Sequence, residues 1–344
     1  MLVLVALVGC TKMELAPTPA KEVTFTVGKH ASMETKAVSL DNYSITSFKS
    51  KGFLHAEGYE SVTQDFFGAN GETISKNGNE WVPSHPYYWP KSELSYVNFV
   101  SWYDKNGAPT TVSETALEWT NRTIEANDDI MYADEAWRFR DNTTNASQYN
   151  SDATLTGVPT LFHHALAQVK FQAKLSDATE GNVRWTLSIS NFKVENVHKT
   201  GSLSLRNSDE QTDYHTKSWT NTSWIPSSNV AADTLSHAGT YTMGANYQVL
   251  MNTRTVMPQT TYGMVLSFDY SINTYYEIAG NQLVSVSENA RATVDLYEVF
   301  RIYNWSVNTC VTYNIIINPK TNKITFAPTL SDWTTDLNNT IYVE

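Results

Sequence analysis

Val169-Lys170-Phe171-Gln172-Ala173-Lys174 and, further on, Trp185-Thr186-Leu187-Ser188-Ile189-Ser190 decide the fold class. In both stretches apolar residues alternate with polar ones. Successive side chains of an extended chain point to opposite faces, so this period of two marks a strand with one buried and one wet face. The pattern returns along the chain. Val23, Phe25 and Val27 alternate with Thr24 and Thr26, and residues 265–272, 311–317 and 324–326 continue it. Tyr96, Val97, Phe99, Val100 and Trp102 make a heavier aromatic strand. The runs are filled by β-branched and aromatic residues, which suit a half-buried pleated surface. Asn70-Gly71, Asn77-Gly78, Asn106-Gly107 and Gly280-Asn281 supply turn chemistry between them. No long window sustains a 3.6-residue apolar period. The sequence predicts an all-β protein built as sandwiches.

Composition narrows the function. The 344 residues carry 24 Lys+Arg against 35 Asp+Glu, a net charge of −11, and 41% hydrophobic residues. That hydrophobic share supports a packed core rather than disorder. The acidic balance argues against nucleic acid, whose phosphates reward clustered Lys and Arg, and against a polybasic membrane binder. Two cysteines, Cys10 and Cys310, exclude a disulfide framework and a multi-thiolate metal site.

The first ten residues set the compartment. Residues 1–8 are almost wholly apolar, too short to span a bilayer, which takes about 20 residues. They fit the apolar region of a secretory signal. A positive n-region is missing, which leaves the expectation of a start codon a few residues upstream. Leu7-Val8-Gly9-Cys10 resembles the lipobox of bacterial lipoproteins, which implies that Cys10 becomes the lipidated N-terminus. Cys310 is then unpaired in the mature chain. Residues 11–21, broken by Pro17 and Pro19, read as a tether.

The two halves are weakly alike. Val23-Thr24-Phe25 is followed by Ile45-Thr46-Ser47-Phe48-Lys49, and Val169-Lys170-Phe171 by Ile189-Ser190-Asn191-Phe192-Lys193. Each set reads as an opening strand and its partner. Residues 133–158 are polar, aperiodic and rich in Asn, Thr and Ser, and read as a long loop or linker. The division is therefore a signal peptide over 1–10, an N-terminal sandwich with tether over 11–160 and a C-terminal sandwich over 161–344.

Catalytic chemistry is thin. The sequence has no Gly-rich phosphate loop, nucleophile elbow or His-Glu-Xaa-Xaa-His motif, so no catalytic residue, metal ligand or cofactor is assigned. His163 and His164 are adjacent on a strand, point to opposite faces and cannot readily chelate one metal. Asn127-Asp128-Asp129 lacks spaced oxygen ligands behind it and reads as a turn. Trp81, Tyr87, Tyr88, Trp89 and Trp102 crowd one region. They read as core packing, with a glycan-stacking platform as the alternative.

An ordered set of motifs carries a resemblance. Trp81 with Tyr88-Trp89-Pro90 and the strand around Phe99 and Tyr103 comes first, then Asp129-Ile130-Met131-Tyr132-Ala133. Residues 162–171, Phe-His-His-Ala-Leu-Ala-Gln-Val-Lys-Phe, are the strongest, followed by Met257-Pro258-Gln259, residues 305–317, Ile324-Thr325-Phe326 and Asp332-Trp333. Together with the lipobox the set resembles the fimbrillin-like lipoprotein pilins of Bacteroidales across the chain. Two positions depart from that pattern. Asn308 stands where the family often has Gly, a substitution that a turn with φ > 0 tolerates. Lys36, in Thr35-Lys36-Ala37, stands where many members have Arg.

The resemblance implies two tandem transthyretin-like β-sandwich domains, export to the outer membrane through lipid on Cys10, and a place in cell-surface fimbriae. It implies proteolytic processing between Lys36 and Ala37, with Lys29 as a rival site. It also implies other pilin subunits as partners, joined when a strand of one fills the groove left in another, and host or bacterial surface ligands. Asp233-Thr234-Leu235 resembles the O-glycosylation site of this bacterial group, with Thr234 as acceptor. The expected function is a structural or adhesive fimbrial subunit, not an enzyme. The alternative is a monomeric surface glycan-binding lipoprotein that uses the aromatic cluster.

Overall fold

The computed structural model of the chain describes residues 21–29, 45–78, 80–92, 94–140, 157–211, 216–278, 282–332 and 341–342. Among the described residues the chain forms 27 strands and one five-residue helix. In chain order the strands begin β1 (Phe25–Lys29), β2 (Ser47–His55), β3 (Gln64–Asp65), β4 (Glu72–Asn77), β5 (Glu80–Pro83), β6 (Tyr96–Asp104), β7 (Thr111–Val112), β8 (Ala116–Thr123), β9 (Ile130–Ala133) and β10 (Glu135–Phe139). Next come β11 (Val158–His164), β12 (Ala167–Leu175), β13 (Thr179–Glu180), β14 (Val183–Val197), β15 (Thr200–Gln211), β16 (Thr216–Thr220), β17 (Ile225–Pro226), β18 (Asp233–His237), β19 (Tyr241–Met243) and β20 (Gln248–Val256). The chain continues through β21 (Gln259–Thr260), β22 (Val265–Ile278), β23 (Gln282–Asp295), helix α1 (Leu296–Phe300), β24 (Asn304–Trp305), β25 (Thr309–Ile317), β26 (Ile324–Asp332) and β27 (Ile341–Tyr342).

The first body is a ring with a second layer. β2 pairs with β4 on one side and β6 on the other, and the path β4-β5-β1-β11-β9-β6 leads back to it. Closing a sheet on itself removes its edges. Phe25, Phe48, Phe67, Ile74, Val97 and Phe99 fill the interior. β9 and β10 form one run interrupted at Asp134. β9 lies against β11 and β10 against β16, so the sheet splits there. The outer layer, β16-β15-β8-β7, covers the far face of β6. Val97 and Phe99 point into the ring, while Val100 and Trp102 point into a core shared with Leu117, Trp119 and Leu203. Burial on both faces is why residues 96–102 do not alternate.

The second body is a sandwich. The sheet β20-β12-β25-β26-β27 and the sheet β13-β14-β22-β23 share one apolar core. β12 buries every second residue from Ala167 to Leu175, as its sequence predicts. β14 buries Trp185, Leu187 and Ile189, then shifts phase to Phe192 and Val194. Asn191 causes the shift: its φ of 51° marks a bulge against β22. Phe171 stacks on Tyr313 at 4.6 Å, and the buried Trp305 Nε1 donates to the Tyr313 hydroxyl at 2.7 Å. Asn308 has a φ of 59°, so it adopts the left-handed turn that its place demanded.

Three readings need correction. Residue 160 lies inside β11, a strand of the first ring, and β15 to β17 return from the second half to cover that ring. Long apolar strands can be legible locally while their sheet partners are not. Next, the opening strands do not hydrogen-bond to the partners expected for them. β1 pairs with β11 and β5, and β12 with β20 and β25. The likeness of the halves shows across the cores instead: Phe25 meets Phe48 at 5.8 Å, and Phe171 meets Phe192 at 5.1 Å. Finally, Glu135–Phe139 in the supposed linker is strand β10, with Ala136 and Phe139 buried. Arg138 at φ 60° breaks its alternation, which hid the period. Residues 141–156 of that stretch lie outside the described residues.

Candidate assembly groove

β1 is the strand that precedes the segment carrying Lys36 and Ala37. The segment places Val23, Phe25 and Val27 on one face, and they are 1%, 2% and 7% exposed. Full burial of such side chains stabilises by roughly 1.5–3 kcal/mol each. The Phe25 ring meets Phe48 at 5.8 Å, Phe99 at 5.5 Å and Phe67 at 6.3 Å. β1 runs parallel to β11 in register from Phe25↔Val158 to Lys29↔Phe162. Its antiparallel register with β5 is confined to Phe25↔Trp81. The chain just before β1 is held by Val23 N–H donating to Tyr87 O at 2.8 Å and by Trp89 N–H donating to Lys21 O at 3.2 Å. Val158 N–H donates to Thr24 O at 2.8 Å.

The close approach of β11 to β1 depends on Gly157. Its φ is +126°, and a Cβ there would stand 2.9 Å from Thr24 O and 3.0 Å from the Phe25 carbonyl carbon. Only glycine adopts this backbone cheaply and leaves that room. Sequence reasoning missed this residue, because a lone Gly at the edge of a polar stretch reads as an ordinary loop.

β1 is joined to β2 through residues 30–46. Lys36 and Ala37 fall there and lie outside the described residues, as does Cys10. Thr234 is half-buried in β18, its N–H donating to Asp233 Oδ1 at 2.6 Å, while the Asp233 carboxylate also pairs with Lys199. Those two bonds hold the Asp233 carboxyl below its usual range, the Lys199 contact being the larger cause. The structure does not bring Thr234 next to β1 in any pairing: β18 belongs to the sheet of the second body.

The other singled-out residues serve packing. Trp81, Trp89 and Trp102 are 8%, 6% and 7% exposed, so the indoles of the aromatic cluster are core, whereas Tyr88 is 47% exposed and its hydroxyl donates to Glu22 Oε1 at 3.2 Å. His163 Nε2 meets Asp134 at 3.1 Å and His164 Nδ1 meets Asp129 at 2.8 Å, two separate carboxylates. Asp128 closes the turn before β9, accepting from Glu125 N–H at 2.9 Å and pairing with Arg122 at 3.2 Å. Gln259, within the Met257-Pro258-Gln259 motif, accepts from His198 N–H and donates to His198 O, at 2.9 and 2.8 Å. It ties the turn between β14 and β15 to β21.

Comparison with known proteins places these features in a family. No curated protein matches the chain. Among solved structures, a fimbrial protein from Bacteroides vulgatus is 11% identical, covering 91% of this chain and 99% of its own, with a TM-score of 0.47. A candidate cell adhesion protein from Bacteroides uniformis is 14% identical, over 91% and 98%, with a TM-score of 0.46. One from Parabacteroides distasonis is 10% identical, over 91% and 100%, at 0.44. The model of the fimbrillin-like family matches residues 41–333, most of the chain. The chain therefore belongs to the fimbrillin-like family.

Proposed function

We propose that this chain is a structural or adhesive subunit of cell-surface fimbriae that joins its neighbours by strand exchange at the β1 site. The observation that carries the reading is the seating of β1. It closes a ring, buries Phe25 and Val27 in the core with Val23 just before them, and is joined covalently to the strands that follow it through the segment that carries Lys36. Cleavage after Lys36 would leave β1 held by noncovalent contacts alone. Its departure would expose a slot lined by Phe48, Phe67 and Phe99, flanked by the unpaired backbone of β11. An incoming strand restores that ladder and refills the pockets. Such a head-to-tail contact does not close on itself, so it propagates as a filament.

In this scheme Cys10 carries lipid and holds the precursor at the outer membrane, the two bodies are the family's tandem transthyretin-like domains, and Thr234 is an O-glycan acceptor. The test is expression of Lys36→Gln in the native host, with N-terminal sequencing of subunits in purified fibres. Fibres should lack the uncut variant, and wild-type subunits should begin at Ala37. Normal incorporation of uncut Lys36→Gln refutes processing at this site.

A further inference from the structure

Three tyrosines stand together on the surface of the second body, far from the groove in sequence and unused by the assembly scheme. Tyr262 is 69% exposed and Tyr303 is 61% exposed. Tyr297, half-buried on α1, neighbours both, its ring centroid 6.1 Å from Tyr262 with the planes at 58° and 5.8 Å from Tyr303 with the planes at 84°, so the rings form an angled surface. Single exposed aromatics are ordinary on a protein surface, but neighbouring ones make a contiguous apolar patch of the kind that marks an interaction site.

The backbone that carries the rings is fixed before any ligand arrives. Thr261 N–H donates to Tyr303 O at 2.9 Å, and the Thr261 hydroxyl donates to Ile302 O. Met264 N–H closes the turn onto Thr261 O at 3.1 Å, and Gly263 supplies the positive φ of +79° that the turn requires. β21 and β24 pair at Thr260↔Asn304, locking the turn that carries Tyr262 to the strand that follows Tyr303. Arg301, at φ 59°, ends α1 by donating its N–H to Tyr297 O at 2.8 Å. Its guanidinium lies 5.7 Å from the Tyr297 ring centre and pairs with Glu298 at 2.8 Å. Arg301 and Glu298 are themselves largely exposed, 67% and 54%.

We propose that Tyr262, Tyr297 and Tyr303 form a stacking platform for a neutral hexopyranose glycan, with Arg301 and Glu298 bonding its hydroxyls. A pyranose has an apolar C–H face that lies on an aromatic ring and a hydroxyl rim that needs donors and acceptors, and this patch supplies both. Size favours a sugar over a protein partner. At about 150–250 Å² per aromatic side chain, the two exposed rings present about 200–300 Å². A stable protein interface needs about 800 Å² from each side. Rigid rings also lose little conformational entropy on binding. The inference does not depend on strand exchange, and the test below leaves that reading untouched.

The test uses the full chain carrying Cys10→Ala, run on native gels cast with yeast mannan, β-1,4-galactan or pullulan. At least one polymer should retard the protein. Tyr262→Ala with Tyr303→Ala should weaken that retardation by about tenfold, the loss of about 1.4 kcal/mol of stacking. Phe at both positions should preserve it, because the ring and not the hydroxyl does the stacking. Both variants should melt with the parent protein, since both side chains are surface groups. Retardation by none of the polymers, or retardation indifferent to the alanine pair, overturns the proposal. So does a wild-type dimer in sedimentation that the alanine pair dissociates, which would assign the rings to contact between copies.

Discussion

Phe25→Ala tests whether β1 is a detachable plug of the first body. The ring is 2% exposed and has three aromatic neighbours within 6.3 Å, two of them edge-on. Truncation removes the transfer energy of the side chain and leaves a cavity that Phe48, Phe67 and Phe99 cannot fully close, a loss of about 3–5 kcal/mol. The backbone pairing of β1 with β11 does not involve the side chain and stays available. The deficit therefore falls on seating β1. Hydrogen exchange resolved by peptide is the assay. A loss of about 4 kcal/mol should speed exchange in β1 and β11 by about 10³-fold, wherever exchange proceeds by release of β1. Peptides from β12, β14 and β25, which share a different core, should exchange at the parent rate. In urea, the first transition should move down by about 1–4 M at slopes of about 1–3 kcal/mol/M. Acceleration below about fivefold, a change of about 1 kcal/mol, would refute the reasoning. Equal acceleration in both bodies would refute it too, because it would mean that β1 opens only with the whole chain.

Two further outcomes follow from single residues. Gly157→Ala forces a Cβ to within 2.9 Å of Thr24 O at a φ of +126°; it should cost about 1–3 kcal/mol and raise β1 exchange before that of any strand in the second body, and a neutral effect in urea unfolding would show that β11 does not need this approach. Glu135, fully buried where the sheet splits, has its pKa pushed up to about 8 by burial, with the Asn207 hydrogen bond opposing, Glu114 adding and Lys217 opposing. Its unfolded carboxyl loses its proton near 4.5, so between those values the unfolded state binds fewer protons and stability falls as pH rises. The contribution is complete below about pH 4.5 and declines by up to about 1.4 kcal/mol per pH unit toward pH 8. Glu135→Gln should flatten melting temperature against pH over that window, and parallel curves for the two proteins would refute the assignment.

The sequence by itself determined the strands whose faces see one core and water. β12 and the first part of β14 were legible because alternation is a local property: each side chain's face follows from its neighbours'. The turn at Asn308 came from the family resemblance, where Asn replaces a common Gly, and its φ of 59° is one that Asn tolerates. The ordered motifs from Trp81 to Trp333 carried the family, and two of them now have physical work to do: Gln259 ties His198, and Trp305 donates to Tyr313. Pairing was decided by the tertiary structure. Whether β1 meets β2 or β11 depends on which distant backbone fills its open side, and no local period encodes that. The same holds for the return of β15 to β17 over the first body, which turns β6 from a one-faced strand into one buried on both faces. Bulges at Arg138 and Asn191 add a residue and invert the pattern, so β10 vanished into an apparent linker and β14 changed phase. The tyrosine platform is the extreme case. Tyr262, Tyr297 and Tyr303 sit on a turn, a helix and a strand approach, each an ordinary surface residue in sequence. They become one surface only because the turn's threonines bond the backbone at Ile302 and Tyr303.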